Sequence, residues 1–325
     1  MGDTNTKYFR WAICGTGKIT ERFMRALDCI PNTQVVACAS ASKDRAREFG
    51  IQHGLVPYTY QELVEAADID AVYVCTNNHL HYPCTLQLLQ HHKPVLVEKP
   101  FAVDSTQAQD MIALAKHHKT LLMEAMWTAY LPCVHEIERL ISNSSMGDTI
   151  DVASYFCIPQ RDNLQHRIFN KEYAGGVVLD LGVYFVSLSY QLFGRPMSIK
   201  CKVQESFNGV ETSAKIVLEY NGFSATGVCA VGDSKDCYYN IKSSNGTIHM
   251  PDFNGCNRYE IHDKYGKVTQ HAYETDVEQF VYQIRYFMDL HVNGKLESDI
   301  YPLRASQDIM DILTECKSQI SKELN

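Results

Sequence analysis

A short apolar run that ends in Gly15-Thr-Gly17 and passes straight into an amphipathic stretch constrains this chain more than any other feature. Phe9–Cys14 reads as a buried strand and Lys18–Ala26 as a helix, which puts the two glycines at a strand-to-helix junction. Glycine lets the backbone turn sharply there and leaves no Cβ between the chain and an approaching anion. The first N–H groups of the helix point outward without partners. Together these features describe a cradle for a dinucleotide pyrophosphate, with Gly15, Thr16, Gly17, Lys18 and Ile19 as the expected contacts. Thr20 stands where a third glycine or alanine is usual.

The same alternation continues downstream. Strands are expected at Gln34–Ser40, Ala71–Thr76, Pro94–Glu98 and Thr120–Glu124, and helices at Lys43–Phe49, Tyr60–Ala66, Tyr82–Gln90 and Ser105–His117. Repeated β-α units predict an α/β fold with a doubly wound parallel sheet, a Rossmann domain over residues 1–126. Past Met126 the rhythm changes. A helix at Val134–Asn143, a strand at Thr149–Ile158 and an apolar helix at Gly176–Phe193 precede a series of strand-like runs from Ser198 to Asp263, punctuated by Asn221-Gly222 and Asn245-Gly246. Residues 127–325 are therefore expected to form a second, α+β domain with a mainly antiparallel sheet. Helices at Thr275–Asn293 and Pro302–Lys322 end the chain, free to pack back on the first domain.

Charge and composition narrow the partners. A net charge of −8 offers no cationic excess for a nucleic-acid backbone or an anionic membrane surface. The longest uninterrupted apolar runs fall far short of the roughly 20 residues that cross a bilayer, and Met1–Tyr8 has no apolar signal core, so the expectation is a cytoplasmic protein with no membrane span. Twelve cysteines are scattered without a CxxC pair, mostly inside apolar runs, and read as buried free thiols. The thirteen histidines supply no HxxxH or HExxH pattern, and no metal is expected.

At the end of the second strand, where a carboxylate would grip the ribose hydroxyls of NAD, the chain reads Ala39-Ser-Ala-Ser-Lys43. Ser40, Ser42 and Lys43 suit a 2′-phosphate, which favours NADP with NAD still possible; the alternative is a solvated loop that caps the next helix. Further polar groups fall at the carboxyl ends of the next strands, where ligands bind in such sheets. These are Thr76, Asn77, Asn78 and His81 after the third expected strand, and Glu98 and Lys99 in Glu98-Lys99-Pro100 after the fourth. Downstream, Gly175-Gly-Val-Val-Leu-Asp180-Leu-Gly-Val-Tyr184 sets a carboxylate and a phenol four residues apart on one helix face.

This set of motifs resembles the Gfo/Idh/MocA oxidoreductase family, and within it the dimeric dihydrodiol dehydrogenase branch. The resemblance runs from the glycine turn through Met123-Glu-Ala-Met-Trp-Thr128 to Glu278-Gln-Phe280. It implies a nicotinamide-dependent oxidoreductase for a sugar, polyol or cyclic dihydrodiol, working as a homodimer through its open sheet. It makes Lys99 and Tyr184 the catalytic pair, with Asp180 orienting the substrate. A phenol ordinarily ionises near pH 10, and a neighbouring ammonium favours its phenolate, so the pairing suits proton exchange with a carbinol. Trp127 and Tyr130 either wall an apolar substrate pocket or belong to the core, and His166 with Arg167 either contacts substrate hydroxyls or the cofactor or lies in a solvated loop. Ala129 and Asn77 replace an arginine and a proline common in the family. A sugar reductase such as 1,5-anhydrofructose reductase, an aldose dehydrogenase, or a non-catalytic NADP sensor are the competing readings.

Overall fold

The structure is a computed structural model that describes residues 8–233, 235–274 and 278–324. Residues 1–7, and 275–277 at the start of the expected penultimate helix, lie outside the described residues. Two compact units divide the chain: Met1–Ala102 with Thr106–Trp127 and Asp276–Leu303, and Val103–Ser105 with Thr128–Thr275 and Arg304–Asn325.

In the first unit the order is β1 (Phe9–Cys14), α1 (Lys18–Asp28), β2 (Thr33–Ala39), α2 (Lys43–His53), β3 (Val56–Tyr58), α3 (Tyr60–Glu65), β4 (Ala71–Val74), α4 (His81–Gln90), β5 (Val95–Glu98), α5 (Ser105–His118) and β6 (Leu122–Ala125). Six parallel strands pair in the order β3-β2-β1-β4-β5-β6, so the strand order reverses beside β1. That reversal opens a crevice at the carboxyl ends of β1 and β4, directly over the glycine turn. The strands are buried on both faces: Trp11, Ile13, Val72, Leu96 and Val97 are all 0% exposed. In α1, Phe23, Ala26 and Leu27 recur at helical spacing and form the buried stripe. Phe23 is T-shaped to Trp11 at 5.2 Å and stacks on Tyr73 at 4.0 Å.

The second unit holds α6 (Pro132–Ser142), β7 (Thr149–Pro159), a π turn at Val178–Gly182 that runs into α7 (Val183–Phe193), and seven further strands. These are β8 (Ser198–Phe207), β9 (Val210–Glu219), β10 (Ser224–Gly232), β11 (Asp236–Ser243), β12 (Gly246–Pro251), β13 (Arg258–Asp263) and β14 (Val268–Ala272). The sheet order is β14-β13-β12-β11-β7-β10-β9-β8, antiparallel except for the β7–β10 pair. The last two helices are α8 (Phe280–Val292) and α9 (Leu303–Leu324). Phe287 of α8 meets Trp11 at 5.1 Å within the first unit, whereas Gln319 of α9 accepts from Cys201 N of β8 within the second.

α7 lies on one face of the eight-stranded sheet. Its Ser189 bonds Tyr239 Oη at 2.9 Å, and Gly227 has no Cβ because one would come 2.5 Å from the Phe185 ring. By length and composition alone, Lys171–Phe193 could cross a bilayer, a run the sequence expectation did not include; 78% of its apolar window is buried inside the protein. The cysteine expectation needs a correction as well. Ten cysteines are free, nine of them buried, but Cys133 and Cys256 are joined in a disulfide within the second unit. They lie 123 residues apart, so no spacing in the sequence signals the pair that tertiary packing brings together.

Candidate dinucleotide cleft and catalytic helix

Gly15 adopts φ +121°, and a Cβ on it would lie 2.6 Å from the Cys75 carbonyl oxygen, so only glycine lets β1 turn against the end of β4. Gly17 behaves differently: nothing lies within 4 Å of its missing Cβ, which leaves an open face at the start of α1. Gly17 is the N-cap residue and no side chain caps the helix. The Thr20 N–H is taken by the Gly17 carbonyl at 3.0 Å, and the Thr20 hydroxyl donates to the Gly15 carbonyl at 3.2 Å. The residue that departs from the glycine pattern therefore locks the turn. Ile19 is part-exposed and Lys18 is exposed at the same helix end.

A cavity of about 180 Å³ opens over this turn, lined by Gly15, Thr16, Gly17, Ser40, Arg45, Tyr60, Thr76 and Asn77 among others. A second, of about 430 Å³, shares Ser40, Tyr60 and Leu80 and extends to Pro83 and Gln87. Among the described residues Arg45 is the one charged side chain lining either cavity. A helix start without a side-chain cap, an open glycine face and a lining cation, with no carboxylate among the described lining residues, fit a phosphorylated dinucleotide.

Of the residues read from the second strand end, Ser40 lines both cavities, whereas Ser42 and Lys43 line neither. The Lys43 ammonium bonds Glu62 Oε1 at 2.7 Å, and its side chain is not among the cavity lining. Glu62 in turn closes a capping box with Thr59 at the start of α3. Lys43 and the Thr59 N–H hold its carboxyl down to about 2. Ser42 caps α2 by accepting from Arg45 N at 3.4 Å, and Ser40 Oγ accepts from Ser42 N. Sequence reasoning missed Arg45, although its place one helical turn into α2, three residues past a serine cap, was a usable signal.

Beyond β4, Thr76 and Asn77 line the cleft, while Asn78 is buried. His81 is 1% exposed, with Nδ1 2.8 Å from the Pro100 carbonyl and Nε2 3.2 Å from that of Thr76. It sits between the backbones of two loops, one of them the Thr76 loop that lines the cleft. Glu98 is buried, bonded by the Tyr73 hydroxyl, and accepts from Lys99 N at 3.2 Å; Lys99 itself is part-exposed. Trp127 is 4% exposed. The Arg22 guanidinium lies over its ring at 4.4 Å and over Phe280 at 4.2 Å, and Arg22 Nε donates to Glu278 at 2.6 Å. Its ring thus makes a cation–π contact with Arg22 and packs on Phe280 at 5.4 Å.

In the second unit Asp180 is 4% exposed and its carboxylate accepts from Arg167 at 2.6 Å. His166 Nδ1 accepts from Ile168 N and caps the short turn that carries Arg167. Tyr184, 9% exposed, is T-shaped to Phe156 at 5.7 Å. Tyr130 is buried. Asp180 stands inside the π turn rather than in a regular α-helix, a widening that recurs at functional sites and that the Asp180-to-Tyr184 spacing did not announce.

The family model described as "Oxidoreductase family, NAD-binding Rossmann fold" matches residues 9–126, and the GFO/IDH/MocA C-terminal domain matches residues 134–249. The chain is similar to a trans-1,2-dihydrobenzene-1,2-diol dehydrogenase of Xenopus laevis, 31% identical across 96% of this chain and 98% of the relative. It is also similar to a scyllo-inositol 2-dehydrogenase (NADP(+)) of Bacillus subtilis, 29% identical across 96% and 97%. Among solved structures, an NADP complex of a 3-ketoreductase from Actinomadura kijaniata superposes with a TM-score of 0.81 at 24% identity, covering 97% of this chain and 98% of that one.

Proposed function

The chain belongs to the Gfo/Idh/MocA oxidoreductase family, and from that membership we propose an NADP-dependent dehydrogenase or reductase acting on a small ring that bears vicinal hydroxyls. The family makes it an NAD(P)-dependent enzyme working on CH–OH groups, with a Rossmann domain for the dinucleotide. The observation that carries the NADP reading is the cleft over the glycine turn, whose one charged lining side chain is Arg45. A 2′-phosphate gains charge-assisted hydrogen bonds from a guanidinium, whereas the bare ribose diol of NAD would look for a carboxylate. Vicinal ring hydroxyls are common to the substrates named for the two relatives above, an inositol and a dihydrobenzenediol.

When bound, the nicotinamide supplies or accepts the hydride. The remaining work falls to side chains of this protein. Tyr184 holds at its Oη the proton that a carbonyl oxygen gains on reduction and a hydroxyl loses on oxidation. Lys99, of the Glu98-Lys99-Pro100 motif, is assigned as the cation that offsets charge developing on the substrate oxygen. Asp180 fixes Arg167 at 2.6 Å, and this pair supplies the polar wall that orients the ring hydroxyls. Gly15 to Ile19, Thr76 and Asn77 hold the dinucleotide. A homodimer is proposed through the sheet face opposite α7, where Tyr155 and Tyr238 stack at 6.2 Å and remain part-exposed.

Titration with NADPH and NADH, followed by nicotinamide fluorescence, tests the cofactor half. Turnover of inositols, aldoses and cyclic dihydrodiols tests the other half. Preference for NADPH with turnover of a ring diol supports the reading, and NADPH binding without turnover of any of them would leave a sensor in its place.

A further inference from the structure

Asp180 and Tyr184 stand on a helical segment whose first turn is buried, and the structure shows what holds that turn. The N–H groups of a first turn have no partner inside the helix and are ordinarily met by a flanking Ser, Thr, Asp or Asn. Here the flanking residue is Gly176, at φ +110°, and a Cβ on it would come 2.4 Å from Glu211 Oε1. The cap arrives instead from β9: Glu211 Oε1 accepts from Val178 N at 3.3 Å. Glu211 is 1% exposed, and Lys317 of α9 neutralises it at 3.1 and 3.3 Å. Gly175 is confined as well, since its Cβ would lie 2.6 Å from the Ile168 carbonyl and 2.7 Å from that of Arg167. The Gly175-Gly176 pair therefore threads between the backbone that carries Arg167 and the carboxylate of Glu211.

We propose that Glu211, balanced by Lys317, is a positioning residue that fixes the π turn so that Asp180 stays on Arg167 and Tyr184 keeps its place for proton transfer. The inference rests on the function proposed above. A carboxylate at a helix start meets the positive end of the helix dipole. A buried ion pair is otherwise a poor source of stability, because desolvating both charges offsets their attraction. An apolar pair would fill the same space, but it would leave the Val178 N–H without an acceptor. Displacing a reacting group by about 1 Å can cost about a hundredfold in rate, so a loosened first turn is read in kcat.

The test compares Glu211→Leu, which removes the acceptor, with Glu211→Gln, which keeps one, and with Gly176→Ala, which crowds the carboxylate from the other side. Steady-state turnover is normalised to NADPH-binding sites counted by fluorescence titration, so that unfolded molecules do not enter. The Leu and Ala variants are expected to lose about tenfold to a hundredfold in kcat with the NADPH Kd within about twofold of wild type, and the Gln variant to recover most of the loss. Wild-type kcat per binding site in the Leu variant would overturn the proposal, as would a Gln variant no better than Leu. Should Leu fail to fold, an Ala variant at position 176 with unchanged kcat overturns it equally. Tyr184→Phe, run in parallel, separates the two layers: full activity there would sink the catalytic reading itself.

Discussion

Replacing Arg45 should change cofactor choice, and replacing Lys43 should not. Arg45 lines the cavity over the glycine turn, while the Lys43 ammonium is 2.7 Å from Glu62 with both side chains well exposed. A hydrogen bond to a charged partner contributes about 1.5–3 kcal/mol, and exposure of the Arg45 side chain places it at the lower end. At about 1.4 kcal/mol per decade, Arg45→Ala is expected to weaken NADPH binding by about tenfold and to leave NADH nearly unchanged. The loss should shrink as salt is raised, because the contact is screened. Lys43→Ala breaks only an exposed ion pair and should move either Kd by less than about threefold. The assay is fluorescence titration of each variant with both reduced dinucleotides at two salt concentrations. An Arg45 variant that keeps the wild-type NADPH to NADH ratio, or a Lys43 variant that loses it, would remove Arg45 from 2′-phosphate recognition.

The glycines of the turn should separate by function. Gly15→Ala, at φ +121° with its Cβ 2.6 Å from a carbonyl oxygen, should lower Tm and abolish cofactor binding. Gly17→Ala has open space, so Tm should hold while NADPH affinity falls. Arg22→Ala removes two cation–π contacts and the Glu278 pair; a loss of about 2 kcal/mol is expected in denaturant unfolding, with a red shift of Trp127 emission. Glu62 has its carboxyl held down to about 2, chiefly by Lys43, so what the pairing contributes is present above the ordinary carboxylate range and disappears as pH falls towards 2. In Lys43→Met, NMR titration should find the Glu62 carboxyl raised but still below the usual range, because the Thr59 N–H continues to bond it.

The β-α rhythm of the first half was legible because parallel strands buried on both faces and stripes such as Phe23, Ala26 and Leu27 leave strong periodic signals. Two edge strands were not. β3 is three residues with a central proline, and β14, Val-Thr-Gln-His-Ala, is mostly exposed, so neither carries an apolar pattern. At the cleft, the glycine turn reads directly from sequence because its chemistry is local. The choice between Lys43 and Arg45 depends on Glu62 reaching back from α3, a contact across 19 residues that no motif encodes. Thr20 departs from the glycine pattern, and its role is tertiary: its hydroxyl closes the turn on the Gly15 carbonyl. The π turn and its cap from Glu211 belong to the same class, since the acceptor lies 33 residues beyond the N–H it satisfies.

NADP-linked proton transfer at Tyr184 is put to the test by turnover of a ring diol by wild type and Tyr184→Phe, with NADPH binding measured on the same samples. A fall of about a hundredfold or more in kcat with NADPH affinity retained is expected. A Tyr184→Phe enzyme that binds NADPH and turns over at the wild-type rate would contradict it.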